Sequence, residues 1–330
     1  MFYRVTLSFN STFMKKVFLL LAALAGLASC HKTGNKQAEK VSPQDSTVLY
    51  VALMPTVDCL PFYYAEQQGI FDSLNANIEI RNYMAQMDCD TAFCRKHVDV
   101  AYTDLIRAAL LQSKDTALNV IMRTDGSHEL ITAFSKRLKS PKQLKEKMVG
   151  MARHSVTDYL CSEIVKKGNI SPDELYKPQI NDISLRAAMV QNATIDAAFL
   201  PEPYATQARL LKNRSIYSTP KEKIHLMCMM ASWQAQKDPK KAKLLHQLIQ
   251  GYDLAVQKMK DKSNQDSARN LLKPFGLKQQ VLDSLKLPKY HKASVPDAKQ
   301  VQKAIEWLRA QELISKQYNG DTLVTSFLTK

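Results

Sequence analysis

Short apolar runs that are rich in β-branched residues alternate with helical segments through most of the chain. Such runs occupy residues 48–54, 98–102 and 118–122, and amphipathic segments follow the first two. Residues 78–80 also alternate like a strand. Strands that alternate with helices at this spacing are typical of parallel βαβ units. The sequence therefore predicts an α/β fold.

A second series of strands and helices begins near residue 130. Residues 130–134 and 148–151 are short apolar runs, and the run at 197–200 ends abruptly at Pro201. A last apolar run, 224–231, precedes a long helical region. We predict two α/β lobes, in which residues 47–135 begin the first lobe, 136–220 form the second, and 221–330 return to the first as a strand and extra C-terminal helices.

Residues 1–29 have the pattern of an export signal. Two lysines precede an apolar run, 17–27, that is too short for an ordinary membrane anchor. The run leads into Leu-Ala-Ser-Cys, which resembles the bacterial lipobox, so Cys30 is the predicted site of lipidation. Residues 30–46 are polar, and this composition predicts a flexible tether. The predicted location is the periplasmic side of a bacterial membrane, with a lipid anchor; a plain secretory signal with a chance cysteine is the alternative.

The chain carries a formal net charge of +15, which favours anionic ligands or anionic lipid surfaces. The basic residues are spread out and form no dense stripe with interleaved aromatic residues, so nucleic acid is not a predicted partner. No cofactor is predicted, and no metal either, because the spacing of Cys89 and Cys94 does not match a zinc site. Export permits disulfides, and a bridge between Cys59 and Cys89 is a hypothesis.

Polar side chains follow the predicted strands at the points where those strands end. Pro201, for example, cannot donate to a ladder but suits the first turn of a helix. Because ligands bind at the carboxyl edge of open α/β sheets, the residues after such strands are candidates for solute contact. Simple helix caps at Thr103 and Ser155, an exposed His154 and a bare strand end at Pro201 are the alternatives. The predicted solute-binding residues are Thr56, Asp58, Cys59, Thr103, Asp104, His154, Ser155, Thr157, Glu202 and Tyr204.

Three segments carry a resemblance to a known family. Residues 60–71 contain Leu-Pro-Phe-Tyr-Tyr-Ala and Gln-Gly-Ile-Phe, residues 98–105 read Val-Asp-Val-Ala-Tyr-Thr-Asp-Leu, and the longest match spans 144–208. In this order they resemble the periplasmic solute-binding proteins of ABC importers in the nitrate, sulfonate, taurine and thiamine-precursor group. The resemblance implies a type II periplasmic-binding-protein fold, with a mainly parallel sheet flanked by helices in each lobe. It also implies capture of a small-molecule solute without catalysis, and ABC permease and ATPase subunits as partners.

The sequence does not determine which solute the protein binds. Asp58 and Glu202 favour a ligand with an amine or a ring N–H, such as a thiamine precursor or another N-heterocycle, because carboxylates accept such donors well. The positive net charge favours the alternative, an anion of the sulfonate or nitrate type. Relatives that make a pyrimidine precursor are enzymes on this fold, but their cysteine-rich motif is not found here. A sensor or surface interaction protein is the third alternative.

Overall fold

The computed structural model describes residues 45–325 and residue 327, and these form two five-stranded sheets. The predicted signal peptide, Cys30 and all but the end of the tether lie outside the described residues. The strands are β1 (Leu49–Leu53), β2 (Ile78–Asn82), β3 (Val100–Asp104), β4 (Leu118–Arg123), β5 (His128–Thr132), β6 (Lys147–Gly150), β7 (Leu175–Tyr176), β8 (Ala197–Pro201), β9 (Arg214–Ser218) and β10 (Met227–Ser232).

Helices flank both sheets, and several begin at a residue whose side chain caps the first turn. The α-helices are α1 (Leu60–Gln67), α2 (Ile70–Ser73), α3 (Gln86–Cys94), α4 (Leu105–Gln112), α5 (Val156–Gly168), α6 (Ile183–Gln191), α7 (Tyr204–Leu210), α8 (Trp233–Lys237), α9 (Pro239–Lys258), α10 (Lys262–Asn270), α11 (Gln279–Ser284) and α12 (Ala298–Ala310). Asp104, Ser155, Asp182 and Asp238 accept a backbone N–H from the first turns of α4, α5, α6 and α9. Within the described ranges, no helix is long and apolar enough to cross a membrane.

The two sheets have the same topology. In the first sheet the strand order is β2-β1-β3-β10-β4, and only β10 runs antiparallel to its neighbours. In the second sheet the order is β7-β6-β8-β5-β9, and only β5 is antiparallel. Strands β3 and β8 are buried along their whole length, as expected for strands covered on both faces. The predicted α/β fold with two mainly parallel sheets is confirmed.

The chain crosses between the lobes earlier than the sequence predicted. The run that we assigned to the first lobe and ended at Ser135 contains β5, which pairs with β8 and β9 in the second sheet. The crossing is therefore residues 124–127. The prediction was wrong because so short a connection usually joins neighbouring strands of one sheet. Gly126 is required in this crossing, since a Cβ there would lie 2.4 Å from Oδ2 of Asp58.

The return to the first lobe lies between β9 and β10, and the extra C-terminal helices then extend over both lobes. Helix α12 packs against α4 of the first lobe. The indole N–H of Trp307 on α12 donates to Oγ of Ser162 on α5 at 2.9 Å. The C-terminal helices thus connect the lobes on one side, in addition to the two crossings of the chain.

Candidate functional site

A small enclosed cavity lies where the ends of the two sheets face each other. It is bounded by the carboxyl ends of β1, β6 and β8 and by the amino ends of β5 and β10. Its volume is about 20 Å³, which is room for about one water molecule. The lobes are therefore closed on each other. The lining residues are Met54, Thr56, Gln86, Tyr102, His128, Ala152, Ser155, Thr157, Asn181, Ile183, Arg186, Pro201 and Met227.

Three of the predicted site residues line this cavity, and all three carry hydroxyl groups. Ser155 caps α5 by accepting the N–H of Thr157 at 3.1 Å, and its Oγ donates to the carbonyl of Ala152 at 2.7 Å. Oγ1 of Thr157 accepts the N–H of Ala152 at 2.9 Å. Thr56 follows β1, and its hydroxyl donates to the thiol sulfur of Cys59 at 3.5 Å. The structure thus combines the capping role of Ser155 with a place in the cavity wall.

Asp58 and Cys59 are buried beside the cavity and do not line it. Oδ2 of Asp58 accepts the hydroxyl of Thr124 at 2.6 Å, and Oδ1 accepts that of Tyr102 at 3.3 Å. Burial raises the pKa of the Asp58 carboxyl and raises that of the Cys59 thiol well above its usual value. Asp58 therefore holds the crossing segment against the first lobe, and the predicted solute contact is replaced by a structural one.

Glu202 and Tyr204 are also placed away from the cavity lining. Oε1 of Glu202 pairs with Arg209 at 2.6 Å, and Oε2 accepts the N–H of Thr206 at 2.8 Å. The carbonyl of Glu202 accepts the N–H of Val57 at 3.2 Å, which is a contact between the lobes. Tyr204 is buried, and burial raises its pKa to about 12. Since Asp58 and Glu202 both have partners within the protein, the reason for preferring an N-heterocycle no longer applies.

Asp104 joins the two lobes directly. Its Oδ1 accepts the N–H of Arg107 and caps α4 at 2.9 Å, while its Oδ2 accepts the N–H of Val156 at the start of α5, also at 2.9 Å. The Gln86 amide donates to Oδ2 at 2.7 Å. Thr103, the residue before, donates its hydroxyl to Asp90, which is paired with Arg107. The carboxylate predicted to contact solute is thus fully used in holding the lobes together.

His154 has a backbone role rather than a place in the cavity wall. Its φ is +55°, in the left-handed region, and its N–H donates to Oδ2 of Asp158 at 2.9 Å. Partial burial lowers the pKa of its imidazole. The side chain does not line the cavity, so the predicted solute contact is not present in this closed form.

Arg186, which the sequence analysis quoted only as part of a motif, is the one guanidinium in the described cavity wall. It lies within α6 and is 3% exposed. Its Nη1 donates to the carbonyl of Phe199 at 2.9 Å, Nε to that of Ile180 at 3.1 Å, and Nη2 to that of Asn181 at 3.4 Å. No carboxylate of the described residues pairs with it. Burial lowers its pKa to about 10, so it stays charged at neutral pH.

His128 is the second polar side chain that the sequence analysis missed. It opens β5, is 6% exposed and lines the cavity, and its imidazole has no hydrogen-bond partner among the described residues. Burial and then the charge of Arg186 lower its pKa to about 3. The neutral ring can donate or accept one hydrogen bond on each nitrogen according to its tautomer. His128 thus faces the cavity with its bonding capacity unused.

The shifted pKa of His128 predicts a pH dependence of stability. Between about pH 6.5 and 3 the unfolded chain binds a proton at this residue and the folded one does not, so stability falls as pH falls. Relative to His128→Gln, the natural protein should lose about 1.4 kcal/mol of unfolding free energy per pH unit below pH 6. Asp90, whose pKa is raised to about 6, has the opposite effect, but it is present in both proteins. Urea unfolding at several pH values measures the difference; parallel curves would contradict it.

Within the described ranges, neither the cysteines nor the potential metal-ligating side chains form a further disulfide or metal site. Cys59, Cys89, Cys94, Cys161 and Cys228 are all free thiols, so the hypothesis of a Cys59–Cys89 disulfide is wrong for this structure. No group of three His, Cys, Asp or Glu side chains is arranged to hold a metal ion there.

The two mainly parallel sheets and the cavity between them define a periplasmic binding protein fold, and solved structures share it. The aliphatic sulphonate binding protein SsuA from Escherichia coli has a TM-score of 0.69 at 14% identity, over 86% of this chain and 93% of that chain. SsuA from Xanthomonas axonopodis pv. citri, bound to MOPS, has a TM-score of 0.70 at 16% identity, over 84% and 96%. The nitrate-binding protein NrtA from Synechocystis PCC 6803 has 0.65 at 11%, over 82% and 83%.

The sequence itself assigns the family. Residues 56–257 match the family described as NMT1/THI5 like, which is more than half of the chain. This protein therefore belongs to the NMT1/THI5 like family, and the resemblance drawn from its motifs is confirmed. No curated protein sequence matches the chain significantly.

Proposed function

We propose that this protein is the solute-binding component of an ABC importer and that its solute is a small anion of the sulfonate or oxoanion class. Arg186 carries this proposal, because it is buried in the cavity wall and forms no salt bridge within the described residues. Burying a charge is costly unless an opposite charge or strong hydrogen bonds compensate. Three carbonyls compensate in part, and a captured anion would supply the missing negative charge.

The rest of the cavity wall fits an anion better than a cation. His128 is neutral at physiological pH and can donate one hydrogen bond to an anion beside the charged guanidinium of Arg186. The two carboxylates that favoured a heterocycle have protein partners instead. A cationic ligand would therefore meet a like charge at Arg186 without a carboxylate to pair with.

Capture of any solute requires the lobes to separate from the arrangement described here. About one water molecule fits in it, so any solute holds the lobes further apart than they are here. Solute burial between lobes stabilises the closed form by the difference in affinity between the closed and open forms. A small anion requires the least separation, and a thiamine precursor requires more.

The proposal includes the predicted partners and location. The protein would be anchored through Cys30 on the periplasmic side of a bacterial membrane and would deliver solute to ABC permease and ATPase subunits. The names of similar structures, which include sulphonate- and nitrate-binding proteins, support this reading. Binding without catalysis is supported by the buried thiols of Cys59 and Cys89, because burial raises both pKa values well above the usual range and makes them poor nucleophiles.

A thermal-shift screen tests the proposed solute class. Methanesulfonate, taurine, nitrate and sulfate should be compared with pyrimidine and thiazole precursors of thiamine. A solute present at 100 times its dissociation constant should stabilise the protein by about 2.7 kcal/mol, which raises the melting temperature by several degrees. We expect one or more anions to do so. Stabilisation by the heterocycles alone would contradict the proposal, and chemical change of the solute during incubation would indicate an enzyme.

A further inference from the structure

We propose that one pole of the second lobe, the basic pocket formed by Arg137, Lys139, Lys212 and Arg214 beside Phe134, docks onto an anionic phospholipid surface. The pocket encloses about 160 Å³ of accessible space. It lies where β5 ends and β9 begins, whereas the solute cavity is at the other end of β5, next to His128. The pocket is therefore separate from the proposed solute site.

The charge of the basic pocket is uncompensated. Each of its four cationic side chains lacks an ion pair and a side-chain hydrogen bond within the described residues, while nearby Lys136 pairs with Asp196 at 3.1 Å. Four like charges around one small pocket repel each other, and anions from outside the protein relieve that repulsion. Each basic residue held near an anionic membrane contributes a favourable electrostatic term.

Phe134 gives the pocket a protruding apolar group. It is 63% exposed, the most exposed large apolar side chain in the described ranges. Its backbone is fixed, because its N–H donates to Oδ1 of Asn213 at 2.9 Å and it begins the 3-10 turn Phe134–Lys136. A fixed aromatic ring that projects from a basic surface can enter the boundary between headgroups and acyl chains, while the cations stay at the headgroups. A free phosphate would use the cations but leave the ring in water.

A membrane fits these features better than an acidic protein partner does. Phe134 projects outward instead of lining an apolar groove. It therefore offers little of the shape complementarity that a specific protein contact requires. The tether proposed to follow Cys30 would keep this surface close to a bilayer. The docking itself requires only the charges and the ring, and it is therefore tested separately from solute binding.

The test uses the full chain in vesicles that contain nitroxide-labelled phospholipid. Phe134→Trp places an indole at the pocket, and Tyr176→Trp is the matched control, since Tyr176 is another aromatic residue of the second lobe that is 53% exposed. The natural protein gives the background from Trp233 and Trp307. We expect quenching of the indole at position 134 in vesicles with equal parts phosphatidylglycerol and phosphatidylcholine, and loss of that quenching with phosphatidylcholine alone or in high salt.

The variant Arg137→Glu with Lys139→Glu, made in the Phe134→Trp chain, should lose the quenching and retain the melting temperature and the solute-induced thermal shift. Equal quenching at positions 134 and 176 would overturn the proposal, because contact would then be non-specific. No quenching at 134 with anionic vesicles would also overturn it, as would quenching that inorganic phosphate removes at an ionic strength at which sodium chloride leaves it in place. A lost thermal shift in the natural protein would instead contradict the proposed solute class and leave this test unaffected.

Discussion

Replacing Arg186 with methionine should lower the affinity for the anionic solute by two to three orders of magnitude. The guanidinium carries five N–H groups, and the three carbonyl contacts leave two of them for a ligand. At about 1.5–2 kcal/mol for each hydrogen bond to a charged group, losing two costs about 3–4 kcal/mol of binding free energy, which is two to three orders of magnitude in affinity. Isothermal titration with the anion that gives the largest thermal shift measures the loss.

The same substitution also removes donors from the carbonyls of Ile180 and Phe199, so stability must be measured alongside affinity. Each buried carbonyl that is left without a donor costs about 1–3 kcal/mol. The control is Arg209→Met, which removes an arginine of the same lobe that pairs with Glu129 and Glu202 outside the cavity. We expect Arg209→Met to retain solute affinity. Equal affinity of the natural protein and a folded Arg186→Met variant would contradict the proposed anion site.

The rule that ligands bind at strand ends predicted the position of the site but not all of its chemistry. Thr56, Ser155 and Thr157 follow strands of the two sheets and do line the cavity. Asp58 also follows such a strand, but the sequence does not show that Thr124 and Tyr102 come back to satisfy its carboxylate. Whether a polar group is free for a ligand depends on partners that are distant in sequence.

His128 and Arg186 were not among the predicted site residues, for separate physical reasons. His128 stands at the amino end of β5, and this strand runs antiparallel to its neighbours, so its beginning rather than its end faces the cavity. Because the crossing was predicted near Ser135, β5 was assigned to the wrong sheet. The position of His128 at the cavity was therefore not predicted. Arg186 lies inside α6, where an arginine is ordinarily a surface residue, and only the fold shows that it is buried.

The buried carboxylate of Asp104 should control how readily the lobes close. It caps α4 in one lobe and accepts the first N–H of α5 in the other, and it has no exposed surface. In Asp104→Ala the N–H groups of Arg107 and Val156 lose their acceptor. The Gln86 amide loses it as well, and at about 1–3 kcal/mol for each of the three donors we expect a loss of at least about 3 kcal/mol of unfolding free energy. Urea unfolding measures this loss.

Closure is measured by small-angle X-ray scattering without solute, where Asp104→Ala should increase the radius of gyration because the Val156 contact exists only in the closed form. Asp104→Asn should have the same direction of effect, since the carboxylate accepts from three donors and the NH₂ group of asparagine would face at least one of them. Asp182→Ala is the matched control: it removes an ordinary cap whose donors, the N–H of Leu185 and the hydroxyl of Ser184, lie within one lobe, and it should cost about 1 kcal/mol without opening the cleft. If the Asp104 and Asp182 variants behave alike, Asp104 is no more than a helix cap, and closure of the lobes depends on the solute and on other contacts between the lobes, such as those of Val57 with Glu202 and of Trp307 with Ser162.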